Sequence, residues 1–185
     1  MRIYVTGSSG SGKSTLAARL AQILGAPHVE IDQIWRELGG LKLWSGPARR
    51  RSPEQLGELT RSIRERVLPY LDQPSWVIDG NYSIVRPFIL GKADRVICLD
   101  APYLRRLARV TLRVIRDPYG HKRGFTARDF PLYLWKFLCS AGKPPKSLIE
   151  AREKYPEKLV VLKSDSEVRE YLSRLKKGSS GQARG

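Results

Sequence analysis

The chain has 185 residues, 41% of them hydrophobic and 28% charged, and carries a formal net charge of +16. That length fits one α/β domain, and eight Tyr with four Trp exclude a disordered composition. No run of eighteen apolar residues is present, which excludes a membrane-spanning helix, and Met1 to Gly7 pass straight into a motif without the pattern of a secretory leader.

Arg2 to Thr6 read as a short buried strand ending at Gly7. From Lys13 to Leu24, Leu16, Ala17, Leu20, Ile23 and Leu24 recur at helical spacing, and Gly25 followed by Pro27 stops that helix. His28 to Ile31 predict a second strand with Asp32 at its carboxyl end. A linker rich in Gly, Trp and Arg follows, from Gly39 to Ser52. Pro53 opens a helix over about 53–70, with Ser52 as its N-cap.

Trp76 to Ile78 predict a third strand running into Asp79-Gly80, and Arg95 to Leu99 a fourth ending at Asp100. Helical spacing returns from Leu104 to about Arg116 and breaks at Asp117-Pro118-Tyr119-Gly120. Further helices are expected at 127–141 and 146–154, then a fifth strand at 158–162 and a closing helix over 165–176. Strands alternating with helices predict an α/β fold, a doubly wound five-stranded parallel sheet with a helical lid and with binding groups at the strand carboxyl ends. Residues 1–177 form a single domain on this reading: about 32–70 serve an acceptor, about 117–128 a lid, and 178–185 a disordered tail.

Gly7-Ser8-Ser9-Gly10-Ser11-Gly12-Lys13-Ser14 satisfies G-x-x-x-x-G-K-[ST] without a mismatch, between an apolar strand and an amphipathic helix. The glycines let consecutive N–H groups turn inward around a β-phosphate, and the helix aims its positive end at the same point. Lys13 is expected to reach the β- and γ-phosphates, the Ser14 hydroxyl to coordinate Mg²⁺, and Thr15 to join the nucleotide site. The nucleotide expected is ATP.

Two acidic positions accompany the loop. Asp79 faces it if the third strand lies beside the first, and is expected to serve the Mg²⁺ shell or orient the acceptor, or else to sit as an ordinary turn residue. Asp32 is a candidate for binding or deprotonating an acceptor hydroxyl; a helix cap before Ile34, Trp35 and Leu38 is the other reading. Asp100 suits a cap of the next helix better than a substrate contact. In that helix Arg106, Arg109, Arg113 and Arg116 share a face, either to meet phosphate charge or as a solvated basic surface.

Lys122, Arg123 and Arg128, near Gly120 and Gly124, suit a lid that excludes water. Cys98 and Cys139 lack metal-type spacing and read as buried thiols in a reducing cytoplasm. Residues 101–155 hold thirteen Lys/Arg against four Asp/Glu. That excess suits phosphate-loaded substrates or nucleic acid, as does Arg49-Arg50-Arg51, although no helix-turn-helix, zinc ligand set or RNA-binding aromatic signature is present.

The N-terminal phosphate loop, Asp79-Gly80, and Leu99-Asp100-Ala101-Pro102 before the arginine helix together resemble the adenylate-kinase-like P-loop kinases. The resemblance makes Arg109 and Arg113, nine and thirteen positions after Asp100, nucleotide-contacting and catalytic. Glu30-x-Asp32-x-x-Trp35, Trp76-x-Ile78-Asp79-Gly80-Asn81-Tyr82 and Ala93-Asp94-x-x-Ile97-x-Leu99-Asp100 are similar to the topology modulation branch of that superfamily. Adenylate kinases carry Asp-Gly-Phe-Pro-Arg on the third strand, whereas Asn81-Tyr82-Ser83 stand here and the next arginine is Arg86; Asp32 is a feature more like shikimate kinase. The resemblance therefore implies an ATP- and Mg²⁺-dependent kinase acting on a small-molecule or nucleotide acceptor, without implying which. The alternative is a nucleic-acid-binding P-loop protein or a polynucleotide-end kinase.

Overall fold

A computed structural model describes residues 1–40, 52–116 and 143–182, together with the isolated helical positions 131, 134, 135 and 138. Five strands form one parallel sheet: β1 (Arg2–Gly7), β2 (His28–Glu30), β3 (Trp76–Asp79), β4 (Arg95–Leu99) and β5 (Leu159–Leu162). Their order is β2-β3-β1-β4-β5, which puts the first strand in the middle. Val5 lies opposite Asp79, and Gly7 opposite Leu99. All five carboxyl ends point the same way because every pairing is parallel.

The helices are α1 (Lys13–Leu24), α2 (Ile31–Glu37), α3 (Pro53–Leu71), α4 (Arg86–Lys92), α5 (Tyr103–Arg116), α6 (Lys146–Lys154) and α7 (Asp165–Gln182). They cover both faces of the sheet, as strands with two apolar faces require. Ile3, Val5, Val77, Ile97 and Leu99 pack under α1 and α7, against Leu16, Ala17, Leu20 and Leu172. Tyr4, Val29, Ile78 and Val96 pack on the other face against Ile63 and Val67 of α3, Ile89 and Leu90 of α4, and Ala151 of α6. Each such large aliphatic side chain withdrawn from water stabilises the fold by about 1.5–3 kcal/mol.

Local chemistry accounts for where the helices start and stop. Ser52 caps α3 in a reciprocal box: its Oγ accepts from Gln55 N at 3.2 Å, and Gln55 Oε1 accepts from Ser52 N at 3.4 Å. Gly25, left-handed at φ 59°, ends α1. Among the described residues no helix is long and apolar enough to cross a membrane.

Four boundaries differ from the sequence expectation. β2 stops at Glu30, and Ile31 already belongs to α2. Lys158 falls in a short 3-10 turn, Pro156–Lys158, before β5. Between Tyr82 and Ala93 the sequence reading passes over α4, a seven-residue helix with a proline in its first turn. The closing helix runs on to Gln182, so the expected tail from Gly178 is helical up to that residue. Extending an existing helix adds one backbone hydrogen bond per residue fixed, which carries it past two unfavourable glycines, Gly178 and Gly181. The linker at 41–51, including Arg49 to Arg51, and the expected lid at 117–128 lie outside the described residues; of the expected helix at 127–141, positions 131, 134, 135 and 138 are helical.

Candidate active site

The glycine loop sits between the end of β1 and the start of α1. Gly7, Gly10 and Gly12 have φ of 144°, 77° and 99°, a region that side chains avoid. Space adds a second requirement. A Cβ on Gly7 would lie 2.4 Å from the Leu99 carbonyl oxygen, and one on Gly10 would lie 2.7 Å from that of Arg106. The loop is therefore wedged between the ends of β4 and α5. Ser11 N donates to the Ser8 carbonyl at 3.2 Å, and Lys13 Nζ donates to the same oxygen at 3.1 Å. Ser8 and Ser14 are half-buried, while Ser9 and Thr15 are exposed.

Ser11 is 4% exposed, and its Oγ has no hydrogen-bond partner among the described residues. Buried hydroxyls are normally satisfied, so an orphan in this glycine loop suits a site shaped for an anion. The residues fit the phosphate tail of a nucleotide. On the floor beneath them, Thr6 Oγ1 and Ser147 Oγ share a hydrogen bond of 2.5 Å that ties β1 to α6.

Asp79 closes β3 beside the loop, with its side chain 1% exposed. His28 Nε2 lies 3.0 Å from Oδ1, while Oδ2 has no partner among the described residues. The adjacent turn is held by the Tyr4 hydroxyl, which donates to the Gly80 carbonyl at 2.7 Å. Glu30 stands opposite Asp79 in the register. Burial, and then the Asp79 charge, push the Glu30 carboxyl above its ordinary value; Arg36, 3.5 Å away, works against them.

The expected address of Asp32 is corrected. β2 is only three residues long, and Asp32 is the second residue of α2 rather than a strand end. It is not the cap either, since Glu30 holds that position and makes no side-chain capping bond. Its exposed carboxylate lies in the first turn, where negative charge suits the helix dipole. Tyr82 lies beside it: burial, and then Asp32, push the tyrosine hydroxyl's pKa up. Asp100 also does not adjoin its helix, because Pro102 supplies the first helical acceptor, to Arg106 N at 3.1 Å.

The arginines of α5 separate into different roles. Arg109 Nη1 donates to the Ser11 carbonyl at 3.1 Å, and its Nη2 meets Asp165 Oδ1 at 3.2 Å. Arg105 Nη1 reaches the other Asp165 oxygen at 3.2 Å. Arg106 is buried and Arg116 exposed, so the four do not form one solvated stripe. Arg113 belongs to the same helix, and its side chain lies outside the described residues. Arg86, the first arginine after Asp79, is buried and engaged: Nε donates to Glu150 Oε2 at 2.8 Å and Nη1 to Asn81 Oδ1 at 3.1 Å.

Sequence reasoning missed His28, Arg36, Tyr82 and Asp165. Tyr82 stands out in the sequence only as part of a pattern, and Asp165, the first residue of α7, carries no spacing signal. Cys98 is fully buried as expected, and burial pushes its thiol up to about 12; Cys139 lies outside the described residues. Among the described residues no three His, Cys, Asp or Glu side chains gather closely enough to hold a metal on their own.

A family model described as an AAA domain matches residues 3–127, from β1 past the end of α5. A cytidylate kinase of Pyrococcus horikoshii is 31% identical over 111 residues, covering 60% of this chain and 56% of that protein. A cytidylate kinase of Thermus thermophilus is 27% identical over 158 residues, covering 82% of this chain and 74% of the relative. The chain thus spans about half the length of most of the curated relatives it matches. Among solved structures, the deoxyadenosine kinase of M. mycoides superposes with a TM-score of 0.59 at 13% identity, over 96% of this chain and 100% of that one. The shikimate kinase of Acinetobacter baumannii gives 0.53 at 15% identity, over 100% and 95%. These two likenesses are of fold.

Proposed function

The chain belongs to the P-loop family described as an AAA domain, and from that premise we propose that it is an ATP-dependent phosphotransferase acting on a small-molecule or nucleotide acceptor. The observation that carries the reading is the glycine loop, with Gly7 wedged against Leu99 and Gly10 against Arg106, and Lys13 Nζ bonded to the Ser8 carbonyl. The similarity to cytidylate kinases supports it.

In this reading the loop amides and Lys13 hold the β- and γ-phosphates, with Gly7 to Thr15 as the nucleotide-binding segment. Ser14 and Asp79 would hold Mg²⁺, which usually keeps several waters and needs few protein ligands. When bound, Mg²⁺ supplies neutralisation of the charge that grows on the bridging oxygens. An acceptor hydroxyl oxygen bonds to the γ-phosphorus as the bond to the β,γ-bridging oxygen breaks, and Asp32, beside Tyr82, takes the acceptor's proton. Lys13, Arg109 and Arg113 stabilise the transferred group's charge. The finer resemblance, to the topology modulation branch, rests on Glu30, Asp32, Trp35 and the run from Trp76 to Tyr82. The buried thiol of Cys98 suits the reducing cytoplasm as the site of action.

The test is a panel of acceptors (nucleosides, monophosphates, sugars, small acids, oligonucleotide ends) with labelled ATP. Transfer to one class is expected, and Lys13→Ala is expected to lower its rate by about two to three orders of magnitude. Undiminished turnover by Lys13→Ala would remove the assignment. The excess of 34 Lys/Arg over 18 Asp/Glu favours nucleic acid as a second reading. Binding to single strands or duplex that falls steeply with salt would move the conclusion there.

A further inference from the structure

β2 and β3 run side by side with His28 opposite Val77 and Glu30 opposite Asp79. Side chains alternate along a strand, so His28 and Glu30 share a face with Val77 and Asp79. The imidazole therefore lies along that face and reaches one pair further, to Asp79 Oδ1 at 3.0 Å. Facing an ionised carboxylate, which can only accept, the imidazole would hold this contact with its proton on Nε2. The contact is enclosed: the Asp79 side chain is 1% exposed and that of His28 24%.

We propose that His28 is a positioning residue for Asp79, holding one carboxylate oxygen so that the other stays directed at the cation a nucleotide brings into the loop. The inference rests on the phosphotransferase reading above and deepens it. Three observations carry it. Oδ2 is buried without a partner among the described residues, an arrangement that is costly unless a ligand completes it. Val5, opposite Asp79 in the register, lies two residues before the first glycine of the cradle. Among the described residues the imidazole is the hydrogen-bond partner of Oδ1, while the neighbouring Glu30 is itself an acid with the Arg36 guanidinium 3.5 Å away.

A carboxylate turns about a soft two-fold torsion, so without the imidazole both oxygens exchange and the site loses its fixed acceptor. Hydrogen-bond partners of a ligating carboxylate commonly govern affinity by 10–100-fold.

The test compares the whole chain with His28→Leu, His28→Asn and His28→Gln. The glutamine amide reaches where Nε2 stands, and the asparagine amide falls short. ATP binding is measured by calorimetry with EDTA and across a Mg²⁺ titration at one fixed pH. The Leu variant should need about tenfold more Mg²⁺ for half-maximal enhancement of ATP binding. Its metal-free ATP affinity should match wild type, and Gln should recover most of the loss. Should the Leu variant not fold, Asn takes its place as the variant without reach. A Leu or Asn variant with the wild-type Mg²⁺ dependence overturns the proposal, as does an equal loss with and without Mg²⁺, which marks a purely structural role. Wild-type protein that binds ATP no better with Mg²⁺ than without removes the cation from Asp79 and the proposal with it. Wild-type protein that binds no ATP at all removes the phosphotransferase reading itself.

Discussion

At Gly10 a methyl group would meet the Arg106 carbonyl oxygen at 2.7 Å while forcing a side chain into φ 77°. The oxygen belongs to helix backbone and cannot swing aside. Gly10→Ala should therefore leave the sheet and helices intact by circular dichroism and weaken ATP binding at least tenfold by calorimetry. The importance of this residue is readable from sequence because it is a backbone requirement, expressed as glycines at fixed spacing. The roles of His28 and Asp79 are only half readable. Asp79 stands out at a strand end, but its partner lies 51 residues away in the chain, and no local pattern connects them. The place of Asp32 is hidden for a local reason: the three-residue strand His28–Glu30 turns directly into a helix at Ile31, a β-branched residue whose own preference is for a strand.

Helix α5 and the start of α7 meet through Asp165, whose carboxylate holds Arg105 at Oδ2 and Arg109 at both oxygens. Arg109 in turn touches the loop at the Ser11 carbonyl. Asp165 is half exposed, so the pair adds little to stability, about 0–1 kcal/mol. Its value lies in aim. Asp165→Ala should lower the phosphoryl-transfer rate about tenfold while shifting the melting temperature by only a few degrees, measured by steady-state kinetics and calorimetric melting. The arginine helix is legible from its spacing; the acid that orients it is not, because it arrives from the far end of the chain. Arg86 teaches the same lesson in reverse. Its position after Asp79 invites a substrate role, yet Glu150 of α6 and Asn81 occupy its guanidinium.

Across the whole molecule, alternating strand and helix signals sufficed for a doubly wound α/β sheet, whereas the lateral strand order did not follow from them. The opposite end of the sheet from the glycine loop is fastened by Arg2 and Asp94. Asp94 accepts from Arg2 N at 2.8 Å and from Nη2 at 2.7 Å. The Arg2 side-chain hydrogen bond holds the Asp94 carboxyl below its usual range. A lowered pKa gives stability that is fully present above the unfolded-state value near 3.9 and is lost as pH falls through the folded value. Asp94→Asn should therefore be modestly less stable than wild type in urea at pH 7. The difference should shrink as both are acidified below about pH 4, with the modest size reflecting a pair that is more than one-third exposed.

The wedge around the glycine loop has a temporal consequence. All eight motif residues precede position 15, but the walls that shape them come from Leu99 and Arg106, and the strands flanking β1 begin only at Trp76 and Arg95. A nascent chain carrying the complete motif thus lacks the walls of its loop until its middle third has emerged and docked. On the proposed reading, ATP would then be a late lock, rewarding the finished molecule by mass action without guiding the earlier steps of assembly.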